Sequence, residues 1–171
     1  MSALVMLSSL IVLAALQALL PGWSGMGFAK PPLLLGLVIY YALTRRRPVA
    51  LTAAVIAGLF QDMLSLSPTG CTLVPYLLIA AFVNAYREEV FILHPFTHAL
   101  FGAAAAIAAD LATALLLAML VPGSNLGAAA AMARAIASGM LGALAVPIVY
   151  QALWRLDRAL GNVNPRGVPW Q

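Results

Sequence analysis

The sequence predicts an all-α, polytopic membrane protein of six transmembrane helices. Three observations carry that expectation. Hydrophobic residues make up 64% of the 171 residues and charged residues only 8%, against roughly 25% charged in soluble domains, and the mean hydropathy is +1.00. The apolar residues fall into runs broken by Pro, Gly and Arg. Of the nine basic residues, all but Lys30 and Arg134 sit in short segments between or after apolar runs, which is a membrane orientation signal. The net charge of +4 therefore indicates no nucleic acid partner. The single Cys71 excludes an internal disulfide, and zinc-type cysteine spacing is absent.

The spans follow in order. Span 1 runs from Ser2 to Leu20; it lacks a basic n-region and a clear cleavage site, so it is expected to remain uncleaved. Span 2 runs from Pro31 or Pro32 to Leu43, with proline as a helix start. It is short for a bilayer that needs about 20 residues. Span 3 runs from Pro48 to Leu66, span 4 from Cys71 to Tyr86, span 5 from Ile92 to Leu120 and span 6 from Leu126 to Leu153. Residues 1–160 are read as one bundle, and the polar 161–171 as a flexible cytoplasmic tail.

Arg45, Arg46 and Arg47 lie between spans 2 and 3, Arg87 between spans 4 and 5, and Arg155, Arg158 and Arg166 after span 6. The positive-inside rule places these segments and both termini in the cytoplasm. An even span count requires the same. Trp23 and Phe28 fall at the expected outer edge, and Tyr40, Tyr41, Tyr86, Tyr150 and Trp154 at the inner one, as interfacial anchors.

Asp62, Asp110 and Arg134 are the ionisable residues deep within spans. A charge at the bilayer centre costs roughly 2.5–3.5 kcal/mol on the insertion scale, so such groups normally face the bundle interior and pair. Counting about 1.5 Å per residue puts all three in the outer half of the membrane. Each lies on a row of small residues: Ala50, Ala54 and Gly58 lead to Asp62; Gly102, Ala106, Ala114 and Ala118 flank Asp110; Ala130, Ser138 and Gly142 flank Arg134, with Gly127, Ala131, Ala135, Gly139 and Ala143 alongside. Small rows let helices approach closely in lipid. The expectation is that spans 3, 5 and 6 pack through these rows, with Asp62, Asp110 and Arg134 forming a buried structural network. A proton or substrate site, and a capping role for Asp62 at the end of span 3, are the other readings of the same residues.

No catalytic, metal or cofactor site is expected. The G-x-G-D signature of intramembrane aspartyl proteases and the Asn-x-x-Asp contexts of lipoprotein signal peptidases are both missing around Asp62 and Asp110. His94 and His98 are four apart but lack a third ligand and the glutamate of a zinc protease motif.

Residues 31–70, "PPLLLGLVIYYALTRRRPVALTAAVIAGLFQDMLSLSPTG", resemble the rod shape-determining protein MreD family. The resemblance rests on Pro31, on Tyr41-Ala42-Leu43, on the basic loop Arg45 to Arg47, and on Gly58-Leu59, Asp62, Pro68 and Gly70. The turn reads Ser-Pro-Thr-Gly rather than the commoner Pro-Leu-Gly. The resemblance implies a non-enzymatic component of the bacterial inner membrane that serves the cell-elongation machinery. The partners it implies are an MreC-like bitopic protein, a SEDS polymerase with a class B penicillin-binding protein, and MreB. The family is similar in architecture to substrate-binding subunits of energy-coupling-factor transporters, so a vitamin-binding membrane subunit is the alternative. A scaffold predicts no deep ligand cavity; a vitamin subunit predicts an outward pocket with convergent polar groups.

Overall fold

The computed structural model describes residues 2–20, 30–65, 68–86, 95–120 and 127–161. These form six helices: α1 Ser2–Leu19, α2 Leu33–Thr44, α3 Arg47–Ser65, α4 Leu73–Ala85, α5 Pro95–Leu120 and α6 Ala128–Ala159. No strand occurs among the described residues. The expectations for Trp23, Phe28, Arg87, His94, Arg166 and the tail beyond Gly161 fall outside the described residues.

α2 is the axis of the bundle. Its sequence, LLLGLVIYYALT, is apolar around the whole circumference, and all twelve residues are buried. A helix that is apolar all round is stable in lipid or in a protein core, and here the protein itself encloses it. α3, α4 and α6 pack directly on it, with α1 along another side. This enclosure accounts for the shortness of span 2. At about 1.5 Å per residue α2 is roughly 18 Å long, and its surroundings are protein. It also corrects the assignment of Tyr40 and Tyr41 as interfacial anchors, since both are fully buried. Their rings meet edge to face at 5.4 Å, and Tyr40 meets Tyr150 at 5.3 Å.

Three helical stretches are long and apolar enough to cross a membrane: Arg47–Ser65, His98–Leu120 and Ala129–Ala159. The apolar stretches Leu4–Leu19, Leu33–Thr44 and Leu73–Ala85 are shorter. The sequence expectation of six spans thus meets three stretches of spanning length and three shorter ones: α2 and α4 are 12 and 13 residues long, and the apolar stretch of α1 is Leu4–Leu19. α6 departs the other way. It continues past Leu153 to Ala159 and closes on Gly161 at φ 68°, the left-handed position that favours glycine after a helix.

The tightest interface is α5 on α6. A Cβ built on Gly142 would lie 2.7 Å from Ala106 Cβ and 2.9 Å from Gly102 O, and one on Gly102 would lie 2.7 Å from Val146 Cβ. The rows around Asp110 and Arg134 therefore meet each other, as small rows do in lipid. The row leading to Asp62 does not join them. α3 packs on α4 and α2 instead, and a Cβ on Gly58 would fall 2.5 Å from Leu73 Cα. The expected packing of span 3 against spans 5 and 6 is corrected accordingly: a short hairpin connection forces α3 and α4 together, and α2 lies between α3 and α6.

Substituting Gly142 or Gly58 by Val should cost about 1–3 kcal/mol or more through overpacking against backbone. Gly127→Ala, where nothing lies within 4 Å, should be neutral. Thermal unfolding of the detergent-solubilised protein checks both.

Candidate functional site

Three polar assemblies stand out from the apolar bundle. The first is the α3–α4 corner. Asp62, 1% exposed, accepts the backbone N–H of Gly70 on Oδ2 at 2.7 Å and that of Thr72 on Oδ1 at 2.8 Å. Between them the turn closes with Cys71 N–H donating to Pro68 O at 3.3 Å, and Gly70 takes φ 110°, which side-chain-bearing residues rarely adopt. Gly58 lies one helical turn before Asp62 on the same face. Its missing side chain lets the start of α4 sit against α3, within reach of the carboxylate. Gly58, Asp62, Pro68 and Gly70 are thus parts of one corner. The carboxylate lies at the amino-terminal end of α4, where unpaired N–H groups favour negative charge.

The second assembly is a cavity of ≈ 310 Å³ at the end of the bundle where α2 begins. Asp110, Arg134, Gln61, Tyr76 and Thr113 are among its lining residues. Arg134 Nε stands 3.9 Å from Asp110 Oδ2, with the side chains 47% and 26% exposed. The structure therefore divides the expected network. Asp110 faces Arg134, whereas Asp62 is occupied by the corner. Neither Asp110 nor Arg134 is deeply buried, because the cavity opens beside them. A cavity of this size is also a correction to the expectation that a scaffold would have none.

Next to this cavity, Gln17 ties three helices together. Its Nε2 donates to Gln61 Oε1 at 2.8 Å, and its Oε1 accepts the backbone N–H of Leu34 at 3.1 Å. Gln61 in turn donates to Ser65 Oγ at 3.2 Å. Pro31 and Pro32 bring no N–H of their own, while their carbonyls accept from Leu33 at 2.9 Å and Gly36 at 3.2 Å. The N–H groups of Leu33, Leu34 and Gly36 at the start of α2 thus all bond within the protein.

The third assembly closes the opposite end of α2. Asp157 Oδ2 accepts from Tyr40 OH at 2.7 Å and from Arg45 Nη2 at 2.9 Å, and the ion pair is enclosed, with side chains 3% and 11% exposed. Asn84 donates to the carbonyls of Ala42 at 2.8 Å and Arg45 at 3.1 Å. Thr44 donates to Tyr40 O at 2.7 Å. Arg45 Nε is buried without a hydrogen-bond partner among the described residues. The basic loop thus splits: Arg46 and Arg47 are exposed, while Arg45 is part of the core. His98 stacks on Tyr150 at 4.8 Å, extending the aromatic cluster, and no group of three metal-ligating residues occurs among the described residues.

Asp157, Gln17, Gln61 and Asn84 escaped sequence reasoning. Asp157 sits in the basic segment after the apolar run and reads as solvated. Its signal was the spacing Val146, Val149, Leu153, Asp157, all buried, which continues one helix face past the apolar run. The amides carry no charge, and their signal was their isolation within apolar runs, where they bond between helices.

Asp157→Ala should destabilise by about 3–5 kcal/mol by stranding a buried arginine. The double change Arg45→Met with Asp157→Leu should be milder than Asp157→Ala alone, and a thermal melt series measures the difference. Asp62→Ala should cost about 3 kcal/mol or more, from two charge-assisted bonds to the corner; Asp62→Asn, which retains one acceptor, should cost less.

No curated protein and no solved structure matches the chain. A family model described as rod shape-determining protein MreD matches residues 1–153, taking in all six helices up to the last turns of α6. With the corner built from Gly58, Asp62, Pro68 and Gly70 inside that match, the chain belongs to the rod shape-determining protein MreD family.

Proposed function

We propose that this chain, a membrane component of the rod-shape machinery, acts there as a non-enzymatic scaffold. It holds an MreC-like bitopic protein beside a SEDS polymerase and its class B penicillin-binding protein, within reach of MreB. The observation that carries this reading is the family match over residues 1–153. A supporting one is how the polar side chains are used: Asp62, Gln17, Asn84 and the Arg45–Asp157 pair hold helix ends. Large apolar side chains on the outer faces, such as Leu16, Leu78 and Leu144, are left exposed for lipid or partner helices.

The orientation belongs to the same proposal. All six helices cross the inner membrane, and both termini face the cytoplasm. Exposed Arg46, Arg47, Arg155 and Arg158 gather at the end closed by the Arg45–Asp157 pair, while exposed Lys30 lies at the cavity end. That asymmetry is the positive-inside pattern. The alternative of a vitamin-binding transporter subunit is favoured by one feature, the polar cavity, but nothing in the family match points to a transporter.

Photo-crosslinking groups placed at Leu16, Leu78 and Leu144 in cells should capture an MreC-like protein from at least one position. Retention of a vitamin by the purified chain, with no such capture, would sink the scaffold in favour of the transporter subunit. In a Cys71→Ala background, an impermeant maleimide should label Thr69→Cys from the outer side of spheroplasts and Arg46→Cys only after permeabilisation. The reverse pattern would invert the topology.

A further inference from the structure

The cavity at the start of α2 holds more charge than the protein itself uses. Arg134 reaches Asp110 through Nε alone, at 3.9 Å, well beyond the about 2.7–2.9 Å of a charge-assisted hydrogen bond. Its two Nη groups, the part of the guanidinium that forks onto oxyanions, make no hydrogen bond with a described residue. Exposed Lys30 lines the same space. Tyr76 also lines it: the residue is only 3% exposed, and its hydroxyl, open to the cavity, makes no hydrogen bond with a described residue. Two cations and one carboxylate thus face a volume of ≈ 310 Å³. That is the lower end of the range for small-molecule pockets, about 300–1,000 Å³.

We propose that this cavity binds a phosphoethanolamine group, with the phosphate held by Arg134 and Lys30 and the ammonium by Asp110. The excess of positive charge favours an oxyanion that carries more charge than a carboxylate. The Arg134 fork suits tetrahedral oxygens. Asp110, too far from Arg134 for a tight pair and met on one side by the Ser138 hydroxyl, takes the ammonium, and the Tyr76 hydroxyl donates to a phosphate oxygen. The group can come from a lipid headgroup entering from the bilayer or from a soluble phosphoester. This inference goes beyond the scaffold reading and does not rest on it.

The test uses the full chain in nanodiscs of phosphatidylglycerol alone, titrated with O-phosphoethanolamine and read by Tm and by calorimetry. A saturable rise in Tm is expected, absent with ethanolamine alone and weaker with inorganic phosphate. Arg134→Gln and Asp110→Asn should each weaken binding on the order of tenfold, the scale of one hydrogen bond to a charged group. Arg134→Lys, which keeps a point charge but no fork, should fall between. In nanodiscs containing phosphatidylethanolamine, a lipid source shows as a Tm already raised and unresponsive to the phosphoester; a soluble source shows as the same titration in both discs. Absence of a saturable response in the wild-type chain, with both discs melting alike, overturns the proposal whether or not the variants fold. An undiminished response in both Arg134→Gln and Asp110→Asn overturns it as well.

Discussion

The structure depends on one constraint: α2 is apolar on every side and is buried along its whole length. A helix end leaves several backbone N–H or C=O groups without intrahelical partners, and at an end closed off by protein each of them must be met from within, since an unmet buried polar group costs about as much as a lost hydrogen bond. Neighbouring helices supply such partners at both ends of α2. At its start, the capping Pro32 brings no N–H, Leu33 donates to Pro31 O, and Gln17 of α1 accepts from Leu34. At its finish, Asn84 of α4 donates to the carbonyls of Ala42 and Arg45, and Arg45 N–H to that of Tyr41. The neighbours that enclose α2 laterally are therefore also the ones that terminate it.

Among the described residues, charge enters the bundle where a helix end requires it or where a cavity admits it. Asp62 and Asp157 are both buried acids, but they serve different bonds. Asp62 accepts two backbone N–H groups at the head of α4 and needs no cation. Asp157 joins α6 to the end of α2 through Tyr40 and Arg45, which is possible only because α6 runs beyond the apolar segment. Asp110 and Arg134, by contrast, hold each other loosely beside open volume. This difference in bond length and exposure separates the groups that fasten the fold from the groups left available to something outside it.

Much of the corner was legible in the sequence. Gly58, Asp62, Pro68 and Gly70 stand close along the chain, so a hairpin brings them together with little freedom, and an acid just before a Pro-x-Gly turn is placed to cap it. The small-residue rows were legible too, and for α5 and α6 they met as expected. The row on α3 shows where such reading stops. A small face says that some backbone comes close, but it does not say which one. Tyr40 and Tyr41 illustrate the same limit: their position at the end of an apolar run suits an interfacial anchor, and only the enclosure of α2 shows them to be core.

By itself, the sequence determined the class of the protein, an all-helical chain rich in apolar runs, along with its family and the positions where helices break. These follow from composition, from hydropathy and from residues near each other along the chain, all of which are local quantities. The tertiary structure alone decided which helix lies at the centre, that Arg45 pairs with Asp157 across 112 positions, and that Asp110 and Arg134 border a cavity rather than a sealed network. Those outcomes depend on which apolar faces meet. In a chain that is 64% hydrophobic, most faces offer nearly the same burial, so the choice among them is made by shape and by the few polar groups that must find partners.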